Sequence, residues 1–296
     1  IPNLKEIIKE SKINFNIQTI KWGDDGSEKQ SSSVVASITG VIFTMLIYMF
    51  ILIYGGMVMQ GVMEEKTNRI IEIMISSVKP FDLMMGKIIG IGFVGLTQVF
   101  LWAVMTFILI TGGTFFLGGG MESEILQSSM ALNTTPNMTA IAAQQHGNEW
   151  IEMLHTINFT EIGILFIAYF IGGYLLYSSL FAAIGSAVDG QEDTQQFMLP
   201  VTLLLVFALY AGIYSMENPD GPLAFWCSMI PFTSPIVMMV RVPFEVPLWE
   251  ILLSIGFLYI SSIGFTWFSA KIYRVGILMY GKKPSIKEMS KWLRYK

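Results

Sequence analysis

The sequence predicts an all-α polytopic membrane protein with five transmembrane helices, and three observations predict it. The 296 residues are 53% hydrophobic and only 14% charged, whereas soluble domains carry about 25% charged residues. The apolar residues collect into five runs, each long enough for the roughly 20 residues that a bilayer crossing takes. Lys and Arg beyond the first span gather in 64–87 and in the tail, with Arg241 the exception, the kind of asymmetry that sets orientation in multi-pass chains. Lipid is therefore the solvent for most of the chain. One cysteine, Cys227, rules out an internal disulfide framework and any multi-cysteine metal site within these residues.

Residues 1–33 are polar by comparison. "INFNIQTI" alternates with the period of a half-buried strand. "GDDGSEKQSSS" reads as a turn and a flexible lead-in to the first span. A strand needs partners, and this short stretch offers few. The expectation is the C-terminal end of a larger extracytoplasmic domain, with the sequence starting inside a longer protein.

The five runs are 34–63, 88–121, 162–188, 197–216 and 251–270. A sixth run, 223–240, is also uncharged, but "CSMIPFTSPIVMMV" carries Pro231 and Pro235. Each proline removes a helical hydrogen bond and crowds the preceding turn. That run is expected to form a broken, re-entrant pair of short helices on the outer side. Orientation follows from the basic residues. Segment 64–87 carries Lys66, Arg69, Lys79 and Lys87, and eight basic residues lie from Lys271 onward. Segment 122–160 carries none, and 217–250 carries only Arg241. With five spans, 64–87 and the tail (275–296) share the cytoplasmic side, and counting 223–240 as a sixth would put the tail outside.

The stretch "EEKTNRIIEIMISSVKPFD" interrupts two greasy runs. Ile70, Ile71, Met74, Ile75 and Val78 share one helical face, and Glu65, Asn68, Arg69, Glu72 and Ser76 share the other. Pro80 ends this helix, expected over 64–78, and Asp82 can cap the next. A helix resting on lipid is usually rich in Lys and Arg on its polar face. Here Glu64, Glu65 and Glu72 oppose Lys66 and Arg69, and mixed sign suits a protein partner better.

"GVMEEKTNRIIEIMISSVKPFDLMMGKIIGI" closely resembles the segment that characterises membrane subunits of type-2 ABC exporters, particularly the sodium-efflux-type permeases. "IGSAVDGQEDTQQFMLPVTL" resembles that family's intracellular turn, and "IPFTSPIVMMVRVPFEVPLWEI" its outer re-entrant segment. The resemblance runs from about Ser33 to Tyr273. It implies a permease of six spans with a large outer domain between the first and second, of which this chain holds five spans (34–274). It also implies that 64–78 is the coupling helix, docking on a cytosolic ATPase subunit through Glu64, Glu65, Lys66, Arg69 and Glu72. Asp189, Glu192 and Asp193 form an acidic turn on the same side, read either as solvated or as a second ATPase contact. ATP and Mg would bind the partner, since "MGKIIG" and "YGKKPS" lack the spacing of a phosphate-binding loop. The further partners implied are a second permease copy or paralogue and the bilayer of a bacterial cytoplasmic membrane, with no nucleic acid.

Other chemistry is sparse. His146 and His155 flank Glu149 and Glu152, a spacing that matches no metal motif, so no metal is assigned. Within the spans, Thr97, Gln98, Thr106 and Thr111, and Tyr177, Ser178 and Ser179, either line a substrate path or hydrogen-bond between helices. Thr97, Gln98, Tyr177 and Ser178 are the path candidates. Proton- or ion-driven transporters place carboxylates or His at mid-membrane, and their scarcity here fits ATP-driven efflux. Two alternatives stand beside export: ATPase-coupled mechanical or signalling work without transport, and a membrane scaffold.

Overall fold

A computed structural model of the protein describes residues 20–22, 28–30, 33–68, 77–113, 158–188 and 190–279. Two short strands, β1 (Ile20–Trp22) and β2 (Glu28–Gln30), pair antiparallel, with Ile20 opposite Gln30 and Trp22 opposite Glu28. A strand thus stands at 28–30, within the stretch expected to be a turn and a flexible lead-in, while 23–27 and 31–32 lie outside the described residues. Strand β2 returns along β1, so the chain itself satisfies that edge. Of "INFNIQTI", only Ile20 lies within the described residues.

Five long helices follow: α1 (Ser33–Thr67), α2 (Pro80–Gly113), α3 (Phe159–Ala187), α4 (Gln191–Glu217) and α7 (Leu248–Gly276). Each is long and apolar enough to cross a membrane. Between α4 and α7 lie two short helices, α5 (Pro222–Met229) and α6 (Ser234–Arg241), and a 3-10 turn at Val242–Phe244.

The helices overrun the uncharged runs because their terminal charges are provided for locally. α2 starts at Pro80, a first-turn position that needs no N–H, with Asp82 at its positive end. It can include Lys87 because Glu65 neutralises it. α3 starts on Asn158, whose side chain accepts from Glu161 N. α7 continues to Gly276 past Lys271, whose ammonium lies 3.8 Å from the centre of the Trp267 ring. At 35 residues, α1 is about 52 Å long, against about 30 Å of hydrocarbon, so its end projects beyond the apolar layer.

α3 is the centre of the bundle and packs against α1 and α7. A Cβ on Gly185 would stand 2.6 Å from the Met59 carbonyl oxygen, so α1 and α3 touch backbone to backbone there. Phe166, Phe170 and Tyr174 form an aromatic column along α3, joined by Phe43 and Phe50 of α1. α2 is the peripheral helix. Met84 and Ile88 are buried near its start, while Phe93, Phe100, Met105, Phe107 and Leu109 are exposed, as a surface facing lipid would be.

The run 223–240 breaks at 230–233. Pro231 cannot donate to the Cys227 carbonyl, and the Thr233 hydroxyl donates to it instead. The Phe232 carbonyl accepts from Tyr177 Oη at 2.6 Å, and the Ser228 carbonyl from Ser254 Oγ at 2.6 Å. Irregular backbone among apolar helices is tolerated when protein donors satisfy it. All eight residues of α6 are buried. Gly40 and Gly173 make room for it: a Cβ on the first would meet Val240 O at 2.8 Å, and on the second Pro235 at 2.9 Å.

Candidate functional site

Two polar clusters stand out in this apolar bundle, one at each end. The first lies where α1 ends and α2 begins. Sequence expectation began a separate helix at residue 64. Instead Glu64–Thr67 form the last turn of α1, and 69–76, with Arg69 and Glu72, lie outside the described residues. Within that turn the three charged side chains differ in setting. Glu64 is exposed, Glu65 is half-buried, and Lys66 is only 2% exposed.

Lys66 Nζ donates to the Ser186 carbonyl at 2.8 Å. That carbonyl belongs to the last turn of α3, where helical carbonyls lack an intrahelical partner and favour a cation. Lys66 is therefore an internal strut, not part of an outward polar face. Glu65 Oε2 lies 2.6 Å from Lys87 Nζ, which also donates to the Gly61 carbonyl at 2.8 Å. Gly276 of α7 abuts the same Ser186 carbonyl, 2.9 Å from where a Cβ would stand. Thr194, near the start of α4, donates to Gly190 O at 2.9 Å and contacts Met63 Sδ at 3.2 Å. Ends of all five long helices thus meet here. Asp193 sits half-buried in the first turn of α4, Asp189 lies outside the described residues, and nothing is described of the Glu192 side chain.

The path candidates do not converge. Thr97 Oγ1 donates to Val94 O within α2 at 2.8 Å. Gln98 Oε1 accepts from Tyr54 Oη of α1. Tyr177 anchors the α5–α6 break, and Ser178 Oγ donates to Leu175 O at 3.4 Å within α3. Each bond lies within one helix or ties two segments of the bundle together. Thr106 and Thr111 lie on the exposed part of α2, and the stretch with His146, Glu149, Glu152 and His155 is outside the described residues.

Sequence reasoning missed the second cluster. Arg241 is 1% exposed and ends α6. Its Nε donates to the Pro219 carbonyl at 2.7 Å and its Nη1 to Ser228 Oγ at 2.6 Å. Its Nη2 lies 2.9 Å from Glu250 Oε2, an ion pair whose alignment is not that of a directed hydrogen bond. Glu250 is 8% exposed. One guanidinium therefore ties the α4–α5 turn, α5, α6 and α7 together. The signal was available: two unlike charges flank "VPFEVPLW" at the edges of two apolar runs, where an ionisable residue calls for a named partner.

Comparison with known proteins places this architecture. Residues 2–271 match the family described as ABC-2 family transporter protein. The uncharacterized protein YhaP of Bacillus subtilis (strain 168) is 31% identical over 268 residues, covering 90% of this chain and 58% of YhaP. The uncharacterized protein MJ1024 of Methanocaldococcus jannaschii is 25% identical over 278 residues, covering 94% of this chain and 58% of MJ1024. The chain thus spans less than two thirds of the length of these relatives. No solved structure matches it. The five apolar helices around a buried broken segment, with the match over residues 2–271, make this chain a member of the ABC-2 family of transporter proteins.

Proposed function

We propose that the chain is the larger part of a membrane permease subunit that works with a separate ABC ATPase to move a substrate out of the cell. The observation that carries this reading is the anchoring of 68–79 at both roots. The charged segment leaves α1 beside Lys66 and enters α2 ahead of Lys87, and both lysines are bonded into the bundle. A load on that segment is delivered to the transmembrane helices. ATP and Mg belong to the partner, a second permease copy completes the pathway, and the ends of α1, α3 and α7 that meet at Ser186 face the cytoplasm of a bacterial cell. Strands β1 and β2 are the end of an extracytoplasmic domain. The resemblance to sodium-efflux-type permeases concerns the branch, not the cargo, since hard cations need clustered oxygen ligands and Thr97, Gln98, Tyr177 and Ser178 do not converge but bond within the bundle.

The test reverses charge at Arg69 and Glu72 only. Glu65 is engaged by Lys87, so a swap at Glu65 would disturb the fold, contrary to the expectation that its side chain points freely outward. Arg69→Glu with Glu72→Lys keeps the net charge and an i,i+3 opposite pair. Like charges facing each other across an interface cost several kcal/mol. The double variant should insert normally and lose its ATPase on co-purification. Retention at the wild-type ratio with full activity would sink the coupling assignment.

A further inference from the structure

We propose that Lys66 and Lys87 are positioning residues that clamp the two roots of segment 68–79, so that its movement passes to α3, α1 and α7 as a unit. The inference rests on the reading above and assigns the side chains that transmit the motion.

The placement is particular. Lys66 is the next-to-last residue of α1. Its four-carbon stem turns into the bundle and brings a full charge against Ser186 O, which Gly276 of α7 also abuts. A pull on the first root therefore reaches α3 and α7 through one carbonyl. Lys87 lies two turns into α2 and reaches back across the gap between helices to Gly61 O and Glu65 of α1. Its side chain is 13% exposed and that of Glu65 31%, so the contact is shielded on one side. α2 is also held further along, where Ile88 O accepts from Tyr174 Oη of α3 at 2.6 Å and Gln98 Oε1 accepts from Tyr54 Oη of α1, but Lys87 is the residue that ties its first two turns to the last turn of α1. Without Lys87, the start of α2 loses its bond to the last turn of α1, and the two roots can shift against each other when the segment moves. Apolar contacts are non-directional and do not fix a helix's axial position, whereas a charge-assisted bond to one carbonyl does.

The test uses the full-length permease in nanodiscs with Cys227→Ala. Spin labels go on Thr67→Cys and Phe81→Cys, exposed positions at the two roots. The wild type should give one narrow distance distribution. Lys87→Met should widen it at least twofold, and Lys87→Arg, which keeps charge and donor, should keep it narrow. With the co-expressed ATPase, Lys87→Met should still capture its partner at the wild-type ratio. The ATP-driven distance change between the two copies, read from a label at exposed Leu248→Cys, should be at least tenfold slower. Should Lys87→Met fail to insert, Lys87→Leu removes the same two bonds with a different apolar shape and is read the same way. A narrow root distance with full ATP-driven movement in the Met variant overturns the clamp. Loss of ATPase capture also overturns it, because Lys87 would then act in docking. A wild type that captures no ATPase defeats the coupling reading itself, and the root-distance arm then decides the clamp alone.

Discussion

The buried pair Arg241–Glu250 gives the sharpest thermodynamic test. Arg241→Met removes the donor to Pro219 O and Ser228 Oγ and leaves the Glu250 carboxylate facing an apolar neighbour. Breaking a buried ion pair from one side costs about 3–5 kcal/mol. Glu250→Leu strands the guanidinium in the same way, though two of its bonds survive, so its loss should fall at the lower end of that range. Replacing both, Arg241→Met with Glu250→Leu, removes the uncompensated charge. Such replacements are often neutral or stabilising by about 1–4 kcal/mol. The double variant should therefore be more stable than either single one, with a coupling energy on the order of 3 kcal/mol or more. The assay is equilibrium unfolding of purified permease in mixed micelles, followed by tryptophan fluorescence. Trp249 precedes Glu250 on α7, and Trp226 lies on α5 two residues before Ser228, which Arg241 bonds. Single variants within about 0.5 kcal/mol of wild type, the range of ordinary surface substitutions, or a double variant equal to the sum of the singles, would refute the argument.

Three other outcomes are expected. Gly185→Ala should destabilise the bundle by about 1–3 kcal/mol, because its Cβ meets Met59 O at 2.6 Å, whereas Gly163→Ala on the open side of α3 should be neutral or better; thermal unfolding of the two compares them directly. Tyr177→Phe strands the Phe232 carbonyl and should cost about 1–3 kcal/mol, with faster amide exchange at 230–233, while Ser178→Ala, which loses a 3.4 Å bond inside its own helix, should cost far less. With Cys227 replaced, a cysteine in 122–160 should react with an impermeant thiol reagent on intact cells and one in 282–296 should not, as zero against eight basic residues in the flanking segments implies.

The long helices were legible because hydrophobicity in lipid is a one-body property: each run reports its own solvent. The break at 230–233 was legible too, since Pro231 and Pro235 act locally. What the sequence hid were pairings across the fold. Lys66 looks like any surface lysine until α3 ends beside it. Glu65 looks exposed on a helical wheel drawn from residue 64, because the wheel assumes a new helix where α1 in fact continues. Arg241 was read only as the single basic residue of 217–250, and only the turn between α6 and α7 brings it to Glu250. Thr97, Gln98, Tyr177 and Ser178 were open between two roles because a hydroxyl's partner depends on a neighbouring helix, and each turned out to have one in the bundle or its own helix. Terminal ranges shifted by several residues where a charge found a local partner, as Lys87 did with Glu65.

The carbonyls freed in the broken segment also set an order of biogenesis. Ser228 O takes its donor from Ser254, and Arg241 takes its counter-charge from Glu250. Both partners lie later in the chain than α5 and α6 and are made after them. Until α7 is synthesised, α6 carries an unbalanced guanidinium and α5 an unanswered carbonyl, which hydrocarbon penalises by several kcal/mol each. The nascent segment therefore waits at the aqueous boundary and is drawn in when the last span arrives. A chain truncated after residue 247 and released from the ribosome should leave 222–241 open to protease, and one ending at residue 276 should close it.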